Sequence, residues 1–317
     1  MNSNESLSAI EVAELLNITK NTVYELVKRG DLPGYKVGKK LRIDKSDVTE
    51  YISFQKSGTR RPIYTDTTVE PKTLSSEPSS LTCHDIIIAG QDSVLDMLSE
   101  EIKRKIPDIR VLRNNVGSYT NLYDLYNDRI SICSSHLWDG DSGEYNTPYV
   151  RRLLPGIPCV LINVAYRTQG FYVAKGNPLK IKDWSDLTKD NVTIVNREKG
   201  SGTRILLDEK LRTLNIDPSS IKGYNNVVTS HLSVASSVGR RDGDVGIGIE
   251  KVALGVNTID FVPIQEERYD IVIKKSDLNL PIYQTIVNIL QSQEFKKQLE
   301  GLSGYDLRDI GKFISTT

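Results

Sequence analysis

Beyond residue 83 the chain alternates between two hydrophobic patterns. Short apolar runs such as HDIIIAG (84–90) and RISICSS (129–135) are typical of buried strands, whereas segments such as SVLDMLSEEIKRKI (93–106) place apolar residues at helical spacing. Strands and helices alternate to the end of the chain without a detectable repeat. The pattern predicts an α/β fold with mostly parallel sheets. Because the segment of residues 83–317 is long for a domain built on a single sheet, we expect two lobes.

The N-terminal segment predicts two short helices joined by a tight turn. Ser8 precedes the first helix, and Glu11 stands three residues later, as in a capping box. A second helix is expected to begin after Thr19, which can cap it. This order is typical of a helix-turn-helix, whose second helix presents its first residues to the major groove of DNA. The apolar positions expected to face inward on the first helix are Ile10, Ala13 and Leu16.

A basic hairpin is predicted directly after the second helix. The stretch YKVGKKLRID (35–44) reads as two strands with a turn, and KSDVTEYIS (45–53) begins a third helix. Positive charges without an intervening acid suit a wing that contacts DNA phosphates. The predicted DNA-binding residues are Lys20, Asn21, Thr22, Tyr24, Lys28, Lys36, Lys39, Lys40 and Arg42.

Residues 7–44 resemble the excisionase/MerR-type winged-helix family. The wing, PGYKVGKKLRI (33–43), is the more diagnostic half of the motif. The resemblance implies binding to a double-stranded DNA operator. The alternative interpretation is a small helical cap whose charges are solvated, because helix-turn-helix patterns also occur without DNA binding.

A linker is predicted between the two patterns. Residues 55–82 show no apolar periodicity and are dominated by Ser, Thr, Pro and charged residues. We therefore predict a winged helix-turn-helix domain over residues 1–54, a linker over 55–82 and a ligand-sensing domain over 83–317.

Charge and cysteine content exclude several classes of protein. Lys plus Arg and Asp plus Glu number 41 each, which excludes a uniformly basic nucleic-acid coat but allows a local basic patch. The odd number and wide spacing of Cys83, Cys133 and Cys159 argue against a disulfide framework or a Cys-based zinc site. The N-terminal segment lacks the features of a secretion signal, and no apolar run is long enough to span a bilayer. We expect a soluble, cytoplasmic protein with no membrane contact.

Candidate anion-binding residues lie where predicted strands lead into helices. In NREKGSGTR (196–204) a Gly-Ser-Gly-Thr turn would present backbone N–H groups at the positive end of a helix dipole, and Arg197 and Arg204 add charge. The same geometry is predicted at Gly117–Ser118 and at Gly90–Ser93. Ligands of α/β domains bind at such strand ends. The alternative is a set of capped glycine-rich turns without a ligand. No P-loop or GxGxxG motif is present, so nucleotide binding is not favoured.

Histidines and acidic residues leave the nature of the ligand open. His136 follows Ser135 and His231 follows Ser230, and both rings can donate to an anion, although either could be a satisfied structural histidine. Acidic residues in SHLWDGDSGE (135–144) raise the alternatives of a metal site, which their loose spacing disfavours, or of a ligand with an ammonium group or sugar hydroxyls. The predicted ligand-binding residues are Gln91, Asp92, Ser93, Gly117, Ser118, Ser135, His136, Asn146, Arg197, Ser201, Gly202, Thr203, Arg204, Ser230 and His231.

The C-terminal domain resembles the type II periplasmic-binding-protein fold, in its cytoplasmic, regulator-attached branch. The motifs that carry the resemblance are SSHLWDGDSGEYN (134–146), GFYVAKGNPLKIKDWSDL (170–187), NREKGSGTRILLDEKL (196–211), TSHLSVASSVGRRDGDVGIGIE (229–250) and EERYDIVI (266–273). The resemblance implies two lobes around a cleft, with molybdate or tungstate as effector and no cofactor. Lobe one would span residues 84–168 and 256–317, and lobe two residues 169–255. A ligand between the lobes would favour a closed state.

These observations together predict a ligand-responsive transcription regulator. The winged helix would bind an operator, and the C-terminal domain would sense a small anion, with molybdate or tungstate first. Because two-fold operators usually require dimers, we expect a homodimer. The alternatives are a regulator that senses a small organic ligand, a cytoplasmic anion-binding protein of a transport system and a recombination directionality factor. We expect no enzyme and no bound metal, because no nucleophile–base pair or GxSxG elbow is found.

Overall fold

The computed structural model describes residues 6–16, 18–28, 32–37, 40–45, 47–49, 51 and 85–317. The chain divides into two compact units, the first ending at Glu77 and the second beginning at Pro78. The predicted linker, Lys39, Cys83 and the side chains of Lys28 and Lys36 lie outside the described residues. The bounds of the predicted domains therefore stay a prediction.

The first unit contains a helix-turn-helix followed by a hairpin. Its elements are β1 (Ser6–Ser8), α1 (Ala9–Leu16), α2 (Lys20–Lys28), β2 (Tyr35–Val37) and β3 (Lys40–Asp44). Strand β3 pairs antiparallel with both β1 and β2. The predicted helices and hairpin are present, and residues 47–49 are helical as predicted. Strand β1 is an addition that the sequence pattern did not predict.

Local hydrogen bonds explain where α1 and α2 begin. The Ser8 backbone N–H donates to Glu11 Oε2 at 2.6 Å, and the Thr19 hydroxyl accepts a backbone bond in the first turn of α2. Both predicted caps are present. The predicted apolar face of α1 is partly wrong, because Ile10 is 52% exposed and Val12 is fully buried. Helix α1 packs on β3 as well as on α2, which rotates its buried face.

The second unit is an α/β domain built on a nine-stranded sheet. Its strands are β4 (Asp85–Ala89), β5 (Arg110–Asn114), β6 (Ile132–Ser135), β7 (Cys159–Ala174), β8 (Ile194–Arg197), β9 (Val227–Val228), β10 (Val245–Ile249), β11 (Ile259–Lys274) and β12 (Phe313–Thr316). Its helices are α3 (Val94–Lys105), α4 (Ser118–Tyr126), α5 (Thr147–Leu153), α6 (Gly202–Thr213), α7 (His231–Gly239), α8 (Glu250–Ala253), α9 (Pro281–Gln291) and α10 (Gln293–Glu300).

The sheet is mixed rather than mostly parallel. Its strand order is β5-β4-β6-β11-β7-β10-β8-β9, and β12 also pairs with β7. The β4–β5, β4–β6, β8–β10 and β8–β9 pairs are parallel, as predicted for each half. The long strands β7 and β11 are antiparallel to each other and to their outer neighbours. They join two parallel halves, which explains why strand–helix alternation alone overestimated the parallel content.

Two separate groups of apolar side chains form the cores of two lobes. One cluster contains Ile88 and Leu98, and another contains Leu207 and Ile247. Strands β7 and β11 contribute to both clusters and therefore connect the lobes. The lobe boundaries given above stay a prediction, since both long strands run through the connection without interruption.

The two described cysteines are buried thiols. Cys133 and Cys159 are free and lie in the core of the first lobe. Burial raises the pKa of Cys133 well above its usual range and that of Cys159 to about 11. Neither thiol therefore ionises readily at neutral pH. In the part of the chain that the structure describes, no helix has both the length and the apolar character needed to cross a membrane.

Candidate ligand-binding cleft

A cavity of about 730 Å³ lies where parallel strands of both lobes end. Gln91 and Asp92 follow β4, Glu198 follows β8, and Ile249 ends β10, and all of them line the cavity. Ligands of open α/β domains bind at this edge of the sheet. The volume lies within the range of about 300–1,000 Å³ that is usual for small-molecule sites.

Four helices begin at the wall of this cavity. Helices α3, α4, α6 and α7 start beside Ser93, Gly117, Ser201 and Ser230, and each of these residues lines the cavity. Ser201 and Ser230 cap their helices through their hydroxyls, whereas Ser93 and Gly117 make no side-chain cap bond. The unpaired N–H groups of a first turn and the helix dipole both favour a negative ligand. The lining therefore combines backbone N–H groups with the partial positive charge of several helix ends.

Arg197 brings a buried positive charge to the cavity. It ends β8, and its side chain is only 2% exposed. Its Nε donates to Glu198 at 2.7 Å, and its Nη2 donates to Gln91 Oε1 at 2.7 Å. Because Gln91 follows β4 in the other lobe, this bond connects the two walls of the cleft.

Arg167 is a second buried cation in the lining, and the sequence analysis missed it. It lies on β7, donates from Nη1 to Asp92 at 2.6 Å and from Nε to Glu267 at 2.7 Å. Its guanidinium lies 4.0 Å from the centre of the Tyr269 ring. The available signal was a charged residue inside the apolar run CVLINVAYRTQGFYVA (159–174).

Two buried carboxylates remain ionised because of this guanidinium. Burial by itself would raise the pKa of Asp92 and of Glu267, but the charge of Arg167 holds both pKa values below their usual range. His136 contributes as well, because its Nδ1 lies 2.7 Å from Glu267 Oε2. The group is therefore a compact ion network, most of whose members line the cavity.

His231 is placed differently from His136. It is the first residue of α7 and lines the cavity. Its Nδ1 is buried and has no hydrogen-bond partner among the residues that the structure describes. Burial lowers the pKa of His231 well below its usual range, and the charges of Arg197 and Arg167 lower it further. The ring is consequently neutral at neutral pH when no ligand is bound.

The two walls of the cleft also touch through their backbones. The Tyr119 N–H donates to the Gly200 carbonyl at 3.0 Å. A Cβ atom on Gly117 would lie 2.5 Å from the Gly200 oxygen and 2.7 Å from Ser201 Cα. Only glycine permits this approach at position 117. The structure therefore shows the lobes in contact across the cleft.

Most of the predicted ligand-binding residues lie in one lining. The predicted residues that line the cavity are Gln91, Asp92, Ser93, Gly117, Ser118, His136, Arg197, Ser201, Gly202, Ser230 and His231. The three predicted strand-to-helix junctions therefore converge, as expected for the carboxyl edge of a sheet. Their contact with a ligand stays a prediction.

Ser135 and Asn146 lie outside the lining. Ser135 is fully buried on β6, opposite Asp270 of the neighbouring strand. Asn146 is also fully buried; its side chain accepts a bond from the Leu137 N–H and donates to Asp270. Both side chains are therefore buried in the first lobe outside the lining, and their contact with a ligand stays a prediction.

Thr203 and Arg204 also lie outside the lining. Successive residues of a helix rotate by about 100°, so α6 directs them away from the cavity although Ser201 and Gly202 line it. The Arg204 guanidinium pairs with Asp208 at 2.9 Å and lies 4.1 Å from the centre of the Tyr224 ring. Arg204 therefore stabilises the second lobe.

Several lining residues were not predicted. They include Asn115, Thr120, Asn121, Ser134, Lys199, Lys251 and Tyr269. Lys251 follows β10, and its Nζ donates to Ser93 Oγ at 2.5 Å. Its position directly after a predicted strand was the only signal for it. The lining thus carries more positive groups than the motifs alone indicated.

The acidic stretch after His136 does not form a metal site in the structure. Asp139 pairs with Arg152 at 2.9 Å, accepts bonds from Ser142 and is not part of the cavity lining. Within the described residues, no group of three or more His, Cys, Asp or Glu side chains is placed to hold a metal ion.

The predicted DNA-binding face of the first unit is solvent-exposed where it is described. Lys20, Asn21, Thr22 and Tyr24 are exposed on α2, and Lys40 is exposed on β3. Arg42 of β3 is half-buried, and its Nη1 donates a long, weak hydrogen bond to the Ser6 carbonyl oxygen at 3.5 Å. Contacts of these residues with DNA stay a prediction.

Comparison with protein families decides the classification. The PBP superfamily domain matches residues 99–291. The chain belongs to the PBP superfamily. A helix-turn-helix domain matches residues 6–56. A PBP superfamily domain is therefore joined to a domain of the DNA-binding helix-turn-helix type.

Two curated proteins are similar in sequence to this chain. The chain is 40% identical over 318 residues to the uncharacterized protein YvgK of Bacillus subtilis (strain 168), and the match covers 100% of both chains. It is 52% identical over 111 residues to an uncharacterized protein in the 5′ region of a ferredoxin 2Fe-2S gene of Clostridium pasteurianum, covering 35% of this chain and 98% of that protein.

Solved structures share the fold of the PBP superfamily domain. A putative phosphate ABC transporter substrate-binding protein with bound phosphate, from Clostridium perfringens, matches with a TM-score of 0.51 and 17% identity over 74% of this chain and 100% of that chain. A mutant of ArgBP from T. maritima matches with a TM-score of 0.50 and 14% identity over 69% of this chain and 95% of that chain. These similarities show a type II binding-protein fold.

Proposed function

We propose that this protein is a transcription regulator that binds an operator through its helix-turn-helix domain and senses a small oxyanion in its cleft. Molybdate or tungstate is the effector that we place first. The observation that supports the proposal best is the convergence of four helix N-termini and the Arg197 guanidinium on one cavity. Such a site stabilises negative charge through neutral N–H donors as well as through formal charge.

The carboxylates of the lining favour an oxyanion that carries no proton. The three acidic residues of the lining, Asp92, Asp96 and Glu198, are each paired with an arginine. A carboxylate engaged by a guanidinium is a weaker acceptor for a proton carried by the ligand. Molybdate and tungstate carry no proton at neutral pH, whereas phosphate does. This difference disfavours phosphate as the effector.

Closure of the lobes would couple the binding of the ligand to the binding of DNA. A ligand that contacts both walls binds the closed state more tightly and shifts the population towards it. We infer a homodimer, since operators with two-fold symmetry are bound by dimers, and a cytoplasmic location where the operator is accessible. The proposal involves no cofactor, no membrane and no catalytic step.

A small organic anion is the second candidate for the effector. The cavity of about 730 Å³ is much larger than a tetrahedral ion, and Tyr269 and Lys251 offer further contacts in the lining. An organic ligand could place an anionic group at the helix N-termini and its remaining atoms in the rest of the cavity.

A thermal-shift panel tests the proposed effector. Dialysed protein is heated with molybdate, tungstate, sulfate, phosphate, amino acids or small sugars. A ligand at about 100 times its dissociation constant should raise the free energy of unfolding by roughly 2.7 kcal/mol, which gives a clear increase in Tm. We expect molybdate and tungstate to raise Tm. A shift with organic compounds alone would favour the second candidate, and no shift with any oxyanion would overturn the proposal.

Removing cations of the helix-turn-helix domain should weaken DNA binding. In the Lys20→Ala and Lys40→Ala variants, one phosphate contact each should be lost. Each loss should reduce the slope of the logarithm of the binding constant against the logarithm of the salt concentration by about one. Fluorescence anisotropy with a labelled mixed-sequence duplex at several salt concentrations measures this slope. Lys312→Ala in the PBP superfamily domain is the control and should leave the slope unchanged. Equal slopes for all variants would contradict the assignment of the DNA-binding face.

A further inference from the structure

His231 is the one lining residue whose unpaired ring nitrogen the proposed function has not used. It stands at the start of α7, a helix of nine residues, and its ring lines the cavity. Its Nδ1 has no partner among the residues that the structure describes, although the atom is buried. Buried polar atoms of folded proteins are normally hydrogen-bonded. Because His231 lines the cavity, a ligand bound there would lie beside this ring.

The charges around His231 disfavour its protonation while the cleft is empty. The charged and titratable groups that act on it are Arg197 on β8, Arg167 on β7, His136 after β6 and Glu267 on β11. Burial lowers the pKa of His231 most, the first three groups lower it further, and Glu267 opposes them. The N-terminal end of α7 adds partial positive charge. These groups together therefore disfavour a positive charge on His231.

His136 provides a contrast within the same cavity. Its Nδ1 already lies 2.7 Å from Glu267 Oε2, so a carboxylate faces this ring whether or not a ligand is present. In the part of the chain that the structure describes, His231 has no such carboxylate partner. A bound dianion would change the electrostatic balance at His231 more than at His136, because the Glu267–His136 pair is already complete.

We propose that His231 takes up a proton when an oxyanion enters the cleft, so that the ligand and one proton bind together. The inference rests on the proposed function, because it requires an anionic ligand. The proton comes from solvent, and the imidazolium formed donates a hydrogen bond towards the anion. The regulator would therefore respond to acidity as well as to the concentration of its effector.

The sign of the pH dependence follows from linkage. The liganded state holds the proton more tightly than the empty state, so ligand affinity must increase as the pH falls between the two pKa values of His231. Within that interval the affinity should change by up to about tenfold per pH unit. At a pH between those two pKa values the protein should take up as much as one proton per bound anion.

Isothermal titration calorimetry tests the proposal directly. Molybdate and, separately, sulfate are titrated into the full-length protein in buffers of different ionisation enthalpy at one pH. The slope of the observed enthalpy against the buffer enthalpy gives the number of protons taken up. We expect a positive uptake for the unaltered protein and an uptake close to zero for His231→Gln and His231→Asn, with reduced affinity and a flatter pH profile.

His136→Gln is the matched comparison, because it removes the other histidine of the same lining. This variant should retain proton uptake, although its affinity can change. Anion binding without uptake by the unaltered protein, or uptake that is lost in His136→Gln and kept in His231→Gln, would overturn the inference alone. Absence of binding by both oxyanions and by tungstate would overturn the proposed function, and the inference with it.

Discussion

Replacement of Arg197 by methionine should lower the affinity for molybdate by about 100-fold, equivalent to about 2.7 kcal/mol. The side chain is almost completely buried at the cavity, and it holds both Glu198 and Gln91 in place. Methionine keeps much of the volume but removes the charge and the donors. It also leaves Glu198 without its guanidinium, next to the incoming anion. Calorimetry with molybdate measures the loss.

Arg204→Met is the matched control for this experiment. Arg204 lies seven residues further along, is buried to a similar extent and is paired with Asp208, but it does not line the cavity. The variant should keep its molybdate affinity within a few-fold while its Tm falls. If both variants lost affinity equally, the effect would be one of folding, and the assignment of Arg197 to the ligand would be wrong.

Replacement of Arg167 by methionine should reduce the free energy of unfolding by about 3–5 kcal/mol at neutral pH. Asp92 and Glu267 would then be buried without their shared partner, since all three side chains are at most 3% exposed. Urea unfolding at several pH values measures the change. Arg129→Met is a suitable control, because its guanidinium is 62% exposed and exposed ion pairs contribute little.

The pH dependence of this variant has a defined sign. In the unaltered protein the two carboxylates have lowered pKa values, so their contribution is present above the unfolded values of about 4 and is lost as the pH falls through the folded values. Without Arg167, the largest charge that opposes the effect of burial is lost, so both pKa values would rise and the ionised carboxylates would destabilise the fold. The difference between the two proteins should therefore be largest near pH 7 and should shrink towards pH 4. A difference independent of pH would contradict this account of the ion network.

Features set by neighbouring residues could be predicted from the sequence. The caps at Ser8 and Thr19, the basic hairpin and the alternation of strands and helices depend on contacts within a few positions. The convergence of Gly117–Ser118 with Ser201–Gly202 was also predictable, because parallel strands end at the same edge of a sheet.

Features set by distant residues could not be predicted. Arg167 meets Asp92 and Glu267, which are 75 and 100 positions away, and no local pattern records that contact. The same limit applies to the long antiparallel strands β7 and β11, whose pairing decides that the sheet is mixed. Arg204 illustrates a smaller limit, because a motif identifies a loop but not the direction in which each of its side chains points.

The bond between the Tyr119 N–H and the Gly200 carbonyl has a consequence for how such sensors diversify. It is made by peptide groups, so it survives exchange of the side chains that recognise the ligand, provided that the glycine at position 117 is kept. Part of the contact between the two lobes is thus made by peptide groups and does not depend on the lining side chains. Under the proposed function, a protein with altered lining side chains keeps this contact while its ligand preference changes.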